Sequence, residues 1–365
     1  MSRALSIDLL NPPETETCAP SFITIPPFFF LFSMLKCIRA IYWLYLVGEV
    51  QLKLLKIMKF SNERYILTVK TVAIQSPGDM GHAVGKVLKE SGFDVITCLS
   101  GRSERTMELA KAGGFRIVQT VDDVVNEADL ILSILVPSRA KELASEVSKA
   151  FIRTQATAYF VDCNAISPNS SKEICEIINS TGGTFIDGGI VGGAPTKGDT
   201  PRFYVSGPEA EVVTQLDQKG IIVKVVGSNV GQASGIKMCY AALTKGTNTL
   251  QVALLTAAHK MGLTEQLKEE FEFSQQGALN AMESGISRLP ANSHRWIGEM
   301  EEISSTFQSL GITPYFHKGA ADVYRMLNET PFASETPETI DSSRSTWETI
   351  AAAADIVNSP SARYE

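Results

Sequence analysis

A lysine lies among polar residues on one face of a predicted helix in the second half of the chain. The apolar periodicity predicts this helix over residues 230–250. Four of its residues fall within an arc of about 60°, with Lys245 beside them: Lys237, Ala241, Thr244 and Asn248. A lysine amine that faces a cleft together with hydroxyl and amide groups is suited to proton transfer at a substrate oxygen. The alternative is a salt-bridged lysine on an exposed helix.

A glycine turn forms a second candidate site near residue 78. A β-branched run over residues 71–74 leads into the turn, and a helical pattern follows it. Glycines between a strand and a helix let the backbone approach a pyrophosphate at the helix N-terminus. The candidate cofactor-binding residues of this turn are Ser76, Gly78, Asp79, Met80 and Gly81. A simple strand-to-helix turn is the alternative, because two glycines alone are a weak signal.

The end of the next predicted strand indicates which dinucleotide would bind. An NAD site usually offers an acid about 20 residues after the glycine turn, where it binds the ribose 2′-hydroxyl. This chain instead has Ser100, Arg102 and Ser103, with no acid before Glu104. A guanidinium binds a 2′-phosphate through charge-assisted hydrogen bonds, although a solvated turn arginine would have the same sequence. The pattern predicts NADP as the cofactor.

The elements that carry these residues alternate as in an α/β protein. Apolar runs typical of buried parallel strands alternate with helical patterns up to about residue 228, and a helical period continues to about residue 357. The sequence predicts a Rossmann-type doubly wound parallel sheet over residues 67–228, followed by an all-helical domain over residues 229–357. Ligands should bind between them, at the carboxyl ends of the strands. Val136 and Pro137, which follow the fourth strand, are further predicted cofactor contacts.

Composition narrows the class of protein. A net charge of −7 over 365 residues argues against nucleic acid as the main partner. The six cysteines are scattered without a C-x-x-C pair, which predicts reduced thiols in a cytoplasmic protein. The four histidines share no ligand spacing, so no metal site is predicted.

Residues 1–66 precede the predicted sheet and are unusually apolar. No run in them reaches the ~18 uncharged residues of a transmembrane helix, and a signal peptide is a poor match. Three interpretations remain: a membrane-surface helix within residues 22–59, an extra helix packed on the body, or a wrongly assigned start. We favour the third, with a start at Met58, because this methionine lies just ahead of the first predicted strand. The first would make the protein membrane-associated.

Four stretches together resemble the β-hydroxyacid dehydrogenase superfamily and the related 6-phosphogluconate dehydrogenases. They are SPGDMG at residues 76–81, DCNA at 162–165, DGGIVGG at 187–193 and GQASGIK at 231–237 with its continuation to Ala241. The segments RWIGEME from Arg295 and KGAADVYRML from Lys318 are similar to a subgroup with a phosphogluconate-dehydrogenase-type C-terminal domain. The resemblance implies the Rossmann fold, hydride transfer between a nicotinamide cofactor and a hydroxy acid, and a homodimer formed through the helical domain.

The resemblance also implies roles for single residues. Lys237 would be the catalytic acid/base. The predicted substrate-binding residues are Asn164, Gly192, Gly193, Tyr240, Thr244 and Asn248. The chain departs from the family pattern at Ser76, Ala165, Val191 and Ala241, which replace a glycine, a hydroxyl residue, a serine and an asparagine. Each unsatisfied polar group would cost ~1–3 kcal/mol on a standard substrate, so the reaction class is better supported than the substrate.

The sequence therefore predicts an NADP-dependent oxidoreductase that interconverts a hydroxyl and a carbonyl group. If the substrate is a 3-hydroxy acid, oxidation gives a β-keto acid, which can lose carbon dioxide. Two alternatives stay open: an imine reductase on the same scaffold, and a cofactor-binding interaction protein that has lost its chemistry.

Overall fold

The computed structural model describes residues 68–195, 198–336 and 338–358. All of them belong to one unit of the chain, Ile66–Glu365. The predictions for residues 1–66, including the start at Met58 and the membrane-surface helix, lie outside the described residues. No helix in the described part of the chain is both long and apolar enough to cross a membrane. The division into domains at residue 228 remains a prediction.

One eight-stranded sheet forms the centre of the first half, with strand order 3-2-1-4-5-6-7-8. The strands are β1 (Thr71–Gln75), β2 (Asp94–Cys98), β3 (Arg116–Val118), β4 (Leu130–Ser133), β5 (Tyr159–Asp162), β6 (Thr184–Val191), β7 (Arg202–Ser206) and β8 (Ile222–Gly227). The first six pair in parallel in the order 3-2-1-4-5-6, which is the Rossmann order. The predicted Rossmann-type sheet is confirmed.

The last two strands differ from a purely parallel sheet. β7 pairs antiparallel to β6, and β8 pairs parallel to β7. Only residues 192–201 connect β6 to β7, which is too short for the crossover that a parallel pair needs.

Helices cover both faces of the sheet. They are α1 (Asp79–Glu90), α2 (Glu104–Ala112), α3 (Val121–Glu127), α4 (Ala140–Thr154) and α5 (Pro168–Asn179). Val84 and Leu88 of α1 pack with one face of the sheet, whereas Leu143 and Val147 of α4 pack with the other. Two buried apolar layers therefore enclose the strands, as the near-continuous apolar runs predicted.

The second half of the unit is helical, as predicted. Its helices are α6 (Gln232–Lys260), α7 (Thr264–Ser274), α8 (Gln276–Gly285), α9 (Pro290–Ser309), α10 (Tyr315–Asn328) and α11 (Thr346–Asn358). Their common core contains Met238 of α6, Met300 of α9 and the fully buried Tyr324 of α10. The long helix α6 thus reaches from the sheet into the helical core.

Two glycines inside β6 allow α6 to approach the sheet closely. A Cβ added at Gly189 would lie 2.9 Å from Lys237 Cβ and 3.0 Å from the Ala233 carbonyl oxygen. A Cβ at Gly188 would lie 2.7 Å from the Asp162 carbonyl oxygen. Only glycine fits these positions without a backbone shift, and the contact brings Lys237 directly against the strand.

Candidate active site

The buried carboxylate of Asp187 fastens the start of α6 to the sheet. Its Oδ2 accepts hydrogen bonds from the backbone N–H groups of Gly231, Ala233 and Ser234 at 2.9, 2.9 and 3.1 Å. Hydroxyl groups of Ser171, Ser206 and Ser234 donate to the same carboxylate at 2.6–2.8 Å. Negative charge at a helix N-terminus is favourable because unpaired amides and the helix dipole meet there. The anchor therefore fixes where the following turns of α6 lie.

Lys237 lies about one helical turn beyond Ser234, the last residue bound by this anchor, and its side chain is 16% exposed. Its Nζ is 3.8 Å from Oε1 of Glu299 on α9. Lys245, two turns further along α6, forms an ion pair with the other oxygen of Glu299. Its Nζ also lies 5.5 Å from the centre of the Trp296 ring. The structure thus groups the predicted Lys237 and Lys245 around one buried carboxylate.

Burial and neighbouring charges have opposite effects on the pKa values of Lys245 and Glu299. Burial lowers the pKa of Lys245 to about 8, although the neighbouring Glu299 carboxylate favours its protonated form. Burial alone would raise the pKa of Glu299, but the two lysines outweigh it, and the net direction is downward. A charged Glu299 beside lysines is the arrangement that a buried ion pair requires.

Glu299 has no role in the sequence-based prediction. It lies in the RWIGEME segment, where Trp296 and Met300 pack in the helical core. A glutamate on the buried face of an amphipathic helix needs a partner. The position of Glu299 between Trp296 and Met300 on that face is the sequence signal that could have revealed it. The signal could not identify the partners, because they lie on another helix.

Asn164 is 2% exposed, and its side chain is used within the protein. Its Oδ1 accepts from the Leu135 backbone at 2.6 Å, and its Nδ2 donates to Ser133 Oγ at 2.8 Å and Asp162 Oδ2 at 3.0 Å. This geometry does not favour the predicted direct contact of Asn164 with substrate. It favours a role in joining the carboxyl ends of β4 and β5.

Asp162, the hydrogen-bond partner of Asn164, is a buried carboxyl with an unusual titration. Burial raises its pKa to about 7, against the opposing effect of two hydrogen bonds from Asn164. An unfolded aspartate titrates near ~3.9. Between these pH values the folded protein keeps a proton that the unfolded chain has lost. The contribution of this group to stability therefore falls as the pH rises through that range.

Asp162→Asn removes this pH-dependent cost. We expect the free energy of unfolding of the variant, minus that of the parent, to increase by about 2–3 kcal/mol from pH 5 to pH 8. Denaturant unfolding of both proteins at the two pH values measures the gain. In Asp122→Asn the changed group is a partly exposed carboxyl whose pKa is already lowered by its hydrogen bond with Arg153. The difference between this variant and the parent should therefore stay constant. A constant difference for Asp162→Asn as well would contradict the expectation.

The glycine loop after β6 already binds a carboxylate of the chain. The Gly193 backbone N–H donates to Asp199 Oδ2 at 2.6 Å, and Gly192 has a positive φ of 110°. For the predicted substrate carboxylate to reach the Gly193 amide, Asp199 would have to leave it.

The other predicted substrate residues follow Lys237 along α6. Tyr240 is 46% exposed. Thr244 is exposed, and its hydroxyl donates to the Tyr240 carbonyl oxygen at 3.2 Å. Asn248 makes a side-chain hydrogen bond to the buried Tyr324 hydroxyl. Tyr240 and Thr244 are therefore exposed, whereas Asn248 is half-buried.

The glycine turn lies at the carboxyl end of β1, as predicted. Ser76, in the place of the first family glycine, has a φ of +63°, a conformation that costs a non-glycine residue about 1–2 kcal/mol. Gly78 caps α1 without any side-chain hydrogen bond, and a Cβ there would meet no described atom within 4 Å. A Cβ at Gly81 would lie 3.2 Å from Ile74 Cγ2. The turn thus offers open backbone amides at a helix N-terminus, which fits a pyrophosphate.

Arg102 lies at the carboxyl end of β2. Its Nε is buried and has no hydrogen-bond partner among the described residues. Ser100 is exposed, and Ser103 caps α2 by accepting from the Thr106 backbone at 3.3 Å. A buried guanidinium nitrogen without a partner is costly, and an anion bound beside it would satisfy it.

The remaining predicted cofactor residues differ in accessibility. Asp79 accepts from Arg105 at 2.5 Å, and the Met80 side chain packs against the apolar core. Val136 is 38% exposed, and Pro137 begins a short 3-10 turn before α4. Arg105 also binds Glu338 at 2.7 Å, a contact that sequence reasoning missed because the two residues are far apart in the chain.

This fold and site can be compared with known proteins. The sequence profile described as the NAD binding domain of 6-phosphogluconate dehydrogenase matches residues 72–254, half of the chain. The chain belongs to this family. A second profile, described as a domain of unknown function, matches residues 258–327. The predicted relationship to 6-phosphogluconate dehydrogenases is confirmed, and members of this family are oxidoreductases that bind a nicotinamide cofactor.

Both characterised and uncharacterised proteins are similar to this chain. An uncharacterised 28.5 kDa protein of Methanothermus fervidus is 26% identical over 69% of this chain and 96% of its own length. Human mitochondrial 3-hydroxyisobutyrate dehydrogenase is 25% identical, and the match spans 53% of this chain and 58% of the human protein. The structure of Mycobacterium tuberculosis 3-hydroxyisobutyrate dehydrogenase with L-serine has a TM-score of 0.56 at 18% identity, over 79% of this chain and 99% of that one. This last likeness concerns the fold.

The described residues were also compared with the ligand sets that metal ions need. Across residues 68–195, 198–336 and 338–358, no group of three or more His, Cys, Asp or Glu side chains is arranged to hold a metal ion.

Proposed function

We propose that this protein is an NADP-dependent oxidoreductase that transfers a hydride between its cofactor and a hydroxy acid, with Lys237 as the general acid/base. The observation that carries the proposal is the position of Lys237. Its Cβ lies against Gly189 of β6, while its side chain is 16% exposed and its amine lies 3.8 Å from Glu299 Oε1, outside hydrogen-bond distance.

Lys237 is suited to moving one proton. In the oxidation direction, the neutral amine accepts the proton of the substrate hydroxyl at Nζ while the carbon–hydrogen bond loses its hydride. In the reduction direction, the ammonium donates that proton to the carbonyl oxygen. Proton transfer by a positioned side chain of this kind typically contributes ~10²–10⁴-fold to a rate.

The charges around Lys237 support an anionic substrate. Lys237, Lys245 and Arg295 all lower the pKa of the single carboxylate of Glu299, so cations outnumber carboxylates within this group of four side chains. An excess of positive charge in a low-dielectric cleft attracts and holds an anion. A hydroxy acid meets that requirement, and a neutral alcohol does not.

The chain's own residues fit a phosphorylated dinucleotide. The open amides after Gly78 suit the pyrophosphate, and the unpartnered Nε of Arg102 suits a 2′-phosphate. When bound, the nicotinamide supplies the hydride acceptor or donor. We propose NADP on the strength of Arg102, and the predicted contacts of Ser76, Ser103, Val136 and Pro137 remain part of this proposal.

A substrate screen tests the proposed function. Panels of hydroxy acids, keto acids, neutral alcohols and imines are incubated with the full chain, and NADPH absorbance is followed. We expect turnover of a hydroxy acid or its keto acid, and product analysis then shows whether carbon dioxide is lost. Turnover of imines alone would favour the reductase alternative. NADPH binding without turnover of any compound would favour the interaction protein.

We also propose that the protein forms a homodimer through its helical half. A groove of about 540 Å³ lies between α6 and α10, and none of its lining residues is charged. Leu243, Leu250 and Phe316 border it and are 71, 65 and 79% exposed. The same surface thus supplies protruding apolar side chains and a cavity to receive them. Self-complementarity of this kind is what a two-fold interface between identical chains requires.

A charge placed on this surface should dissociate the dimer. We expect the parent to sediment as a dimer and Leu250→Glu to sediment as a monomer that still melts cooperatively. Ile152→Glu is the matched control, because Ile152 is also an exposed apolar residue, 56% exposed, but lies on α4. A monomeric parent at micromolar concentration would refute the proposed dimer.

The cytoplasmic location remains a proposal that rests on cysteine chemistry. The cysteines within the described residues, at positions 98, 163, 175 and 239, are all free thiols. Free thiols are typical of a reducing compartment.

A further inference from the structure

We infer that Lys245 is a positioning residue that holds the Glu299 carboxylate away from Lys237, so that the Lys237 amine stays available to substrate. This inference rests on the proposed role of Lys237 in proton transfer. It assigns Lys245 a function that neither the fold nor the resemblance supplies.

The two oxygens of Glu299 have different surroundings. Oε2 is bound by Lys245, whereas Oε1 lies 3.8 Å from Lys237 Nζ. Oε1 is buried and has no hydrogen-bond partner among the described residues. One oxygen of Glu299 is therefore paired with Lys245, and the other lies close enough to Lys237 to pair with it after a small movement.

Lys245 is itself held in place. Its side chain is 15% exposed, and its ammonium lies 5.5 Å from the centre of the Trp296 ring. The Lys245 backbone carbonyl accepts from the Tyr324 hydroxyl at 3.2 Å. A third cation near Glu299, Arg295, donates to Asn292 at 2.7 Å and lies over Trp296. Lys245 is thus the cation that satisfies Glu299 directly.

Without the Lys245 ammonium, Glu299 would keep its charge in a buried position with Lys237 as its nearest cation. An unpaired buried charge is strongly unfavourable, and only a small movement would bring Oε1 within hydrogen-bond distance of Lys237. The closed pair would hold the Lys237 proton and turn the amine away from substrate. Lys245 therefore competes for the carboxylate, and this competition leaves Lys237 free.

Turnover of a substrate found in the screen gives the first test. We expect Lys245→Met to lower kcat about tenfold or more, the effect of one charge-assisted hydrogen bond, with NADPH affinity unchanged. Lys245→Met/Glu299→Gln should recover most of the loss, because the competing carboxylate is gone. Lys245→Arg, which keeps the cation, should stay close to the parent. Lys141→Met, at an exposed lysine paired with Glu173, is the control for lysine replacement in general.

A second readout does not depend on activity. The rate at which an amine-reactive reagent labels Lys237 is measured by peptide mapping in each folded variant. We expect labelling to slow about tenfold in Lys245→Met and to recover in the double variant. Parental labelling in Lys245→Met, or no recovery in the double variant, would overturn the inference. If labelling behaves as expected while Lys237→Met keeps full turnover, the ion-pair competition stands and the proposed function of Lys237 falls.

Should Lys245→Met fail to fold, Lys245→Arg and Glu299→Gln still test the inference. Both should leave Lys237 labelling at or above the parental rate. Slower labelling in Glu299→Gln would show that the carboxylate does not restrain Lys237, and the inference would be wrong.

Discussion

Replacing Lys237 with methionine is expected to lower turnover by ~10²–10⁴-fold while NADPH affinity hardly changes. Methionine keeps an unbranched stem of similar length, so the contact with Gly189 and the packing of α6 are preserved. The substitution removes only the atom that carries the proton. Because the lost interaction is made in the transition state, kcat should fall more than KM rises. Steady-state kinetics on the substrate found in the screen, together with NADPH fluorescence titration, measure both effects.

Lys260→Met provides the matched control for this experiment. Lys260 is the last residue of the same helix α6 and is exposed, so its replacement should leave kcat near the parental value. If Lys237→Met also turns over substrate at the parental rate, the proposed mechanism does not operate. Tyr240, one turn along and 46% exposed, would then be the next acid to test.

Arg102→Ala is expected to remove most of the preference for NADPH over NADH. A charge-assisted hydrogen bond contributes ~1.5–3 kcal/mol, so the parent should bind NADPH at least roughly tenfold more tightly than NADH. In the variant the two affinities should converge, mainly through weaker NADPH binding. NADH binding should change little, because NADH has no 2′-phosphate for Arg102 to bind. Fluorescence titration of both reduced cofactors gives the ratio.

Arg153→Ala serves as the control. Arg153 is an exposed arginine on α4, and it is paired with Asp122 on α3. Its NADPH-to-NADH ratio should equal that of the parent. Equal affinities of the parent for the two cofactors would end the proposal of NADP specificity.

The features that sequence reasoning predicted well have a local cause. The apolar runs and their alternation with helical patterns follow from burial of parallel strands on both faces, and the sheet confirms them. The antiparallel β7 was not predicted, because strand direction depends on the length and path of a connection rather than on the strand's own residues.

The partners of the site residues depend on contacts between distant segments. Glu299 reaches Lys237 from another helix, and Asp199 occupies the Gly193 amide from within the following loop. Asn164 is a polar residue after a strand, and nothing in its neighbours indicates whether its amide faces the cleft or the interior. Residue type and spacing therefore identified the candidates, while their hydrogen-bond partners had to come from the three-dimensional structure.

The Asp187 anchor has a mechanical consequence. Because this carboxylate fastens the first turn of α6 to β6, and Lys237 packs on Gly189 of the same strand, the position of Lys237 is fixed relative to the sheet. Glu299 lies on α9, whose Glu302 binds Ser167 and Ser170 at the start of α5. Met238 and Met300, the chain neighbours of Lys237 and Glu299, pack in the same buried core of the helical half. The sheet on one side and the helical core on the other therefore hold the amine and the carboxylate at a defined separation.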